Sequence, residues 1–498
     1  LTLRSPSTYT QLIARDGETG ARAEPKTEGT KHASWSKLDF GAFILSFAPD
    51  SGEKVMPANS LVIRGGRVID PAQHLDALRD VVVRDGVIES FLEESSHLDL
   101  PSIDATGQIV APGLIDLHVH LRVPGFEYKE TIASGSAAAA AGGFTSVCCM
   151  PNTKPVLDSV DVIAELIAQA DRESIVRLYP IATISKGRIG DEAVDFEALA
   201  GAGAIGFSDD GDSTRNSLVM RQALEASKSL NLPIMVHCED KALASGAMHE
   251  GDVSRALGIP GIPAEAEEIS IARDLMLTRL TGGWLHVLHV STGRGIDLIR
   301  RAKAEGSHVT SEVMPHHLVM SDEWIAGSRT LLNVDEPAGE PGIAGDPNTK
   351  VNPPLRTLAD TKMLLQALKD GYFDIIATDH APHADFEKQG KEFVHAAFGL
   401  SGLEFALPTC LALVRAGHIS LSDLIYRFAT VPGQLLNKGT GTLRPGAPAD
   451  IVVFDPDRTW KVTPDELRSK SHNTPLLGMT LRGRATATIV AGEVRFGG

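Results

Sequence analysis

Two histidines on alternate positions, His118 and His120, close the run Ala111-Pro112-Gly113-Leu114-Ile115-Asp116-Leu117-His118-Val119-His120, and Arg122 follows two residues later. In an extended strand alternate side chains share a face, so both imidazoles can reach one metal ion while Val119 packs the other way. Such a pair is equally at home on a surface or in a core, because imidazole is only the commonest of several metal ligands. The company it keeps decides. His237 closes Pro233-Ile234-Met235-Val236-His237, His289 closes Leu285-His286-Val287-Leu288-His289, and Asp379 closes Ile375-Ile376-Ala377-Thr378-Asp379. One histidine ending one strand is more often structural than ligating; several on successive strands, with a terminal aspartate, reverse those odds. Four histidines with two carboxylates suit a pair of zinc ions sharing one water, whose pKa they bring toward neutrality.

The elements that must position these residues follow a regular order. From 112 to 435, β-branched runs alternate with helical stretches: the Ala-rich segment around Ala133 to Ala141, then Thr145-Ser146-Val147-Cys148, and later Val309-Thr310-Ser311-Glu312. Strand and helix alternating over that length predict a parallel α/β core, best a (β/α)8 TIM barrel, with a doubly wound sheet as the alternative. In a barrel, chemistry gathers at the C-terminal ends of the strands, where each of the residues above falls. Segments 59–111 and 436–498 read as short strands with Gly/Asp turns, for example Leu61-Val62-Ile63-Arg64 and Asp450-Ile451-Val452-Val453-Phe454. The two ends are expected to pair into one small β-sandwich, with the barrel inserted between them.

Residues 1–58 have balanced charge, are rich in Ser, Thr, Gly and Glu, and show no period, so a mostly disordered extension is expected there. Asp16, Glu18, Glu24 and Glu28 argue against a transit peptide, and Met56, just ahead of the first clean strand, is the expected natural start. The formal net charge of -17 argues against nucleic-acid binding. No apolar run approaches the ~20 residues that span a bilayer. Four scattered cysteines, Cys148, Cys149, Cys238 and Cys410, suit a reducing cytoplasm rather than a disulfide framework, and Cys238 beside His237 could touch the site.

Taken together, Asp116-Leu117-His118-Val119-His120-Leu121-Arg122-Val123-Pro124-Gly125, Met150-Pro151-Asn152-Thr153, His237-Cys238-Glu239-Asp240, Val351-Asn352-Pro353-Pro354-Leu355-Arg356 and Thr378-Asp379-His380-Ala381-Pro382-His383 resemble class I dihydroorotases of the amidohydrolase superfamily. The resemblance covers about 59 to 495. Val123 stands where the family usually has Glu, and 333–347, rich in Gly, Pro and Glu, reads as an inserted solvated loop ahead of Asn352. Many relatives bridge two metals with a carboxylated lysine. The corresponding stretch here, Ala204-Ile205-Gly206-Phe207-Ser208-Asp209-Asp210-Gly211, has no lysine, and Asp210 resembles the bridging aspartate of the type that lacks it, with Asp209 as the less favoured neighbour and a plain turn as the alternative.

The resemblance implies His118, His120 and Asp379 on one zinc, His237 and His289 on the other, and Asp210 between them. It implies zinc-dependent, reversible cyclisation of N-carbamoyl-L-aspartate to L-dihydroorotate in pyrimidine (UMP) biosynthesis, with Asp379 as the catalytic proton shuttle. Arg122 offers a planar fork for the substrate carboxylate. Asn152 and His383 join that clamp by resemblance, and Asn352 with the backbone of Phe398 and Gly399 meets the ring; turn-forming, loop and hinge roles are the bland alternatives for these. Residues 384–397 read as a mobile lid. His316 and His317 are read as structural, and His286 as pointing into packing. Two other functions compete: a hydantoinase- or allantoinase-like cyclic amidohydrolase, and a non-catalytic dihydroorotase-like subunit of an aspartate transcarbamoylase complex. The expected partners are the small-molecule substrate, aspartate transcarbamoylase and further copies of the chain in a homo-oligomer.

Overall fold

Parallel pairing links strand to strand around a closed ring, in a computed structural model that describes residues 59–334, 336 and 339–497. The extension expected over 1–58, with Met56, lies outside the described residues. Leu114–Val119 pairs with Phe144–Cys149, which pairs with Arg177–Pro180. Single bridges, Ala182 to Phe207 and Phe207 to Ile234, carry the ring to Ile234–Val236. Leu285–Val287, Val309–Val313 and Ile375–Ile376 follow in register, and a bridge from His380 to Val119 closes it. The intervening helices include Ile132–Ala141, Ser217–Leu230 and Glu265–Thr281. This is the (β/α)8 barrel that the alternation predicts.

The stretch 204–211 contributes least ladder, and its side chains explain why. Asp209 accepts from the backbone N–H groups of Ile184 and Ser185 and from the hydroxyls of Ser185 and Thr214, while Ser208 Oγ accepts from Asp210 N. Local side-chain acceptors thus replace strand bonds and turn the chain sharply at Asp210.

The two ends of the described chain meet in one hydrogen-bonded sheet of eight strands, in which Ile451–Lys461 from the C-terminal part lies antiparallel to Ile109–Pro112 from the N-terminal part. Alternation divides its side chains. Val452 and Phe454 pack into the barrel's outer core with Ile69, Ile109 and Ala111. Ile451 and Val453 join a second apolar cluster with Leu61, Ile63, Val83 and Ile489. The segment 333–347, expected as a solvated loop, is held where described: Asp346 pairs with Arg329 at 2.6 Å and Glu336 with Arg415 at 2.6 Å.

Candidate metal centre and substrate cleft

The strand Leu114–Val119 delivers the first pair. Val119 packs outward into the barrel's outer core, and the His118 and His120 rings lie 5.4 Å apart on the inner side. A register shift falls between Asp116 and Val119, where Asp116 Oδ1 accepts from the backbone N–H of both His118 (3.0 Å) and Thr378 (3.2 Å). The buried Asp116 thus ties the first stave to the last at the base of the site. Burial pushes its carboxyl up to about 7.

Six side chains from five staves converge at the barrel's C-terminal end. Asp379 Oδ1 lies 3.0 Å from His120 Nε2 and 3.5 Å from His118 Nε2. Asp210 stands between the two halves: Oδ2 is 3.4 Å from His120 Nε2, and Oδ1 is 3.7, 3.5 and 3.4 Å from His118 Nε2, His237 Nδ1 and His289 Nε2. Two groups have donor spacing fit for a metal ion, His118 with His120 and Asp379, and His118 with Asp210 and His289. His237 Nδ1 lies 2.9 Å from His289 Nε2, beside the second. His118 Nε2 and Asp210 Oδ1 are buried with no hydrogen-bond partner among the described residues. Buried polar atoms of this kind are costly unless something pairs them, and a cation between them would do so.

The electrostatics agree. Burial opposes charge at His118, but Glu312, Asp379 and Asp210 outweigh it and hold the imidazole well above its ordinary value. Against the same burial, His118 and the hydrogen-bonded histidines hold Asp210 far below the usual carboxylate range, and Asp379 is likewise lowered. Burial lowers His237 too, yet Asp210 and Glu239 bring it to about 9. The centre therefore keeps its carboxylates ionised and attracts positive charge. His289 (φ 29°) and Asp379 (φ 48°) adopt left-handed backbone, which L-residues rarely take outside functional sites.

The cleft above, about 840 Å3 and partly open to solvent, is lined by Arg122, Asn152, Asn352, His383, Phe398 and Gly399 together with the ligand candidates other than His118. Arg122 does not continue the strand, as its spacing from His120 suggests. It turns in at φ 63°, is 8% exposed, and its Nε donates to Pro382 O at 3.1 Å. Asn152 Oδ1 lies 2.8 Å from His120 Nδ1, so it accepts a hydrogen bond from that ring's N–H and keeps its amide hydrogens as donors. Asn352 Nδ2 faces His237 Nε2 at 3.4 Å. His383 Nε2 lies 2.8 Å from Phe398 O, and Gly399 spends its N–H on Lys350 O. Gly399 must be glycine: its φ is 130°, and a Cβ would come within 2.7 Å of Ala381 Cβ.

A family model described as "Dihydro-orotase-like" matches residues 107–294. A curated dihydroorotase of Syntrophus aciditrophicus (strain SB) is 45% identical over 437 residues, covering 87% of this chain and 98% of the relative. One from Geobacter sp. (strain M21) is 45% identical over 440 residues, covering 87% and 99%. The chain belongs to the dihydroorotase family. Among solved structures, the L-hydantoinase (dihydropyrimidinase) from Arthrobacter aurescens is similar, with a TM-score of 0.76 at 25% identity over 88% of this chain and 96% of that one. The family's amidohydrolase barrel and metal dependence agree with the site described above.

Around this candidate site, several residues escape a reading of the sequence alone. Glu312 is fully buried with Oε1 2.7 Å from His118 Nδ1, and Glu239 lies 3.4 Å from His237 Nε2. His286, expected to point into packing, is buried but reaches Glu312 Oε2 at 3.2 Å. Asp209 makes only the turn bonds given above, and Cys238 faces Asp274. His316 and His317 stand outside both ligand groups, His317 against Pro353 O. The expected lid, 384–397, is anchored: Lys388 Nζ donates to Pro347 O and Lys350 O, Glu387 pairs with Lys129 at 2.8 Å, and Phe386 stacks on Tyr128.

Proposed function

We propose that this chain interconverts N-carbamoyl-L-aspartate and L-dihydroorotate, the ring-closing step of pyrimidine synthesis, with two zinc ions per chain. One observation carries the substrate: the buried Arg122 guanidinium opens into the same cleft as both ligand groups, and a carboxylate that the reaction leaves untouched needs such a fork. His118, His120 and Asp379 would hold one ion, His237 and His289 the other, with Asp210 between. Bound there, two divalent cations would lower the pKa of a shared water and polarise the reacting carbonyl.

The chain's own residues do the rest. Arg122 takes the free carboxylate, with the Asn152 amide donating beside it and His383 completing the clamp. Asn352 and the backbone at Phe398 and Gly399 border the ring. Asp379, held ionised by the surrounding imidazoles, moves the proton. In ring closure the ureido nitrogen attacks the side-chain carboxyl carbon and gives up a proton through Asp379 to the oxygen that departs as water. In ring opening the water proton passes through Asp379 to the leaving nitrogen.

A cyclic-ureide hydrolase is the second reading, favoured by the fold's likeness to the Arthrobacter L-hydantoinase. A non-catalytic subunit would have no need of a full ligand set. Among the described residues no helix is long and apolar enough to cross a membrane; the cytoplasm is the proposed location. Assembly with further copies or with aspartate transcarbamoylase is open to light scattering of the protein alone and mixed. The deciding experiment measures metal content and turnover of dihydroorotate and hydantoin before and after chelation. Dihydroorotate turnover that falls with the metal and returns with zinc is expected. Hydantoin turnover without dihydroorotate turnover would overturn the substrate, and full activity of metal-free protein would overturn the mechanism.

A further inference from the structure

Parallel barrel strands are buried on both faces and read as apolar, so polar side chains on their inner face call for an account. Three lie in register below the metal centre. His286 pairs with Thr310 across adjacent strands, and Glu312 follows Thr310 on the same face. Trp284 Nε1–H donates to Thr310 Oγ1 at 2.9 Å, and Thr310 Oγ1 lies 2.8 Å from His286 Nδ1. His286 Nε2 faces Glu312 Oε2 at 3.2 Å, so it must carry a proton, because a bare ring nitrogen would set lone pair against lone pair. On the other oxygen, Glu312 Oε1 accepts from His118 Nδ1 at 2.7 Å and from the backbone N–H of His289 at 3.1 Å.

We propose that Glu312 is one positioning carboxylate for both halves of the metal centre. The inference rests on the two-metal reading above. Its hydrogen bond fixes the proton of His118 on Nδ1, which leaves Nε2, the orphaned atom, as the donor toward the ions. The same oxygen holds the His289 N–H, and so the left-handed backbone from which the second-site imidazole projects. Ordinary orienting carboxylates serve one ligand ring; here a single oxygen sets a side chain in one half and a main chain in the other. His286, fixed in turn by Thr310, orients Glu312 from below. Glu312 contacts neither Arg122 nor the rest of the carboxylate clamp, so its part is in metal retention rather than substrate binding.

Zinc affinity of purified protein, read by chelator competition with metal counted per chain, tests this. Glu312→Gln keeps the shape but removes the charge and sets an amide NH2 against the donors on one side, either His286 Nε2–H or the N–H groups of His118 and His289, and Glu312→Ala removes every acceptor. For Glu312→Gln we expect affinity to fall about 10- to 100-fold at both positions, the usual effect of losing a ligand's outer partner. Excess zinc should restore kcat, with KM for dihydroorotate unchanged, a rescue that general misfolding would not permit. If Glu312→Ala fails to fold, Glu312→Gln carries the test. Wild-type affinity at both positions in folded Glu312→Gln overturns the proposal, and so does loss at one position with the other intact. Wild-type protein that holds no zinc would instead overturn the two-metal reading itself.

Discussion

The proposed function gives Asp379 two duties that one substitution separates. It faces His120 at 3.0 Å, where it would serve as a ligand, and as an ionised carboxylate it would carry the proton. Asp379→Asn keeps an oxygen for the metal but cannot accept a proton, so kcat is expected to drop about 10^2- to 10^4-fold, the range that general acid–base catalysis spans, with KM for dihydroorotate little changed. Steady-state kinetics at saturating zinc check it. Arg122→Lys should do the opposite. It keeps the charge and loses the fork, so KM for dihydroorotate should rise about tenfold or more while kcat falls less. Five of the candidate ligand residues were legible in the sequence because they stand at or near strand ends, where imidazole or carboxylate has few structural reasons to stand; Asp210 came only from the family resemblance, with a plain turn as the alternative. Glu312 was not: in Val309-Thr310-Ser311-Glu312-Val313 it alternates like the polar face of any half-exposed strand. Only the closed barrel, which makes that face an interior, turns Thr310 and Glu312 into residues that need partners.

The elements carrying the site are strand ends fixed by side-chain acceptors, and these were the least legible part. Asp116 and Asp209 read as neighbours of ligands, yet each accepts backbone N–H groups that a longer strand would have used itself. The 384–397 segment teaches the same lesson, since its charges and Gly390 read as mobility. Lys388 instead lies 1% exposed, its ammonium satisfied by Pro347 O and Lys350 O. Burial pushes Lys388 down to about 7, Lys350 adds to that, and Asp346 and Glu387 pull the other way. In the unfolded chain the group returns to its ordinary 10.5, so between about 7 and 10.5 unfolding takes up a proton. The stability contributed here therefore rises with pH across that window and is lost as pH falls to about 7. Melting temperatures at pH 7 and 9 should show a rise that shrinks in Lys388→Met, leaving the share due to Lys350, which burial lowers to about 8.

At the scale of the molecule, the barrel depends on a strand that the chain reaches only after the last stave. Asp450, at the head of Ile451–Lys461, is buried, and its carboxylate takes Arg177 of the third stave bidentately, at 2.7 and 3.1 Å. Its Oδ1 also accepts from Ala491 N, and its own carbonyl accepts from Gly113 N, at the root of the strand that carries His118. The periodicity of both chain ends forecast that they pair, but no local pattern could tell Asp450 from a turn aspartate, because its partner lies 273 residues away. Removing its side chain strands a guanidinium and one backbone donor, the N–H of Ala491, at once. Arg177 keeps 31% of its side chain in water, so the cost should fall below the 3–5 kcal/mol typical when one partner of a buried pair is removed. Asp450→Ala is expected to lose about 2 to 3 kcal/mol in urea unfolding. Zinc affinity should stay near wild type in the fraction that remains folded, because none of the ligand side chains touches Asp450. A stability change within 0.5 kcal/mol, the size of an ordinary surface substitution, would mean that the barrel and the terminal strands are held together by their shared apolar core alone.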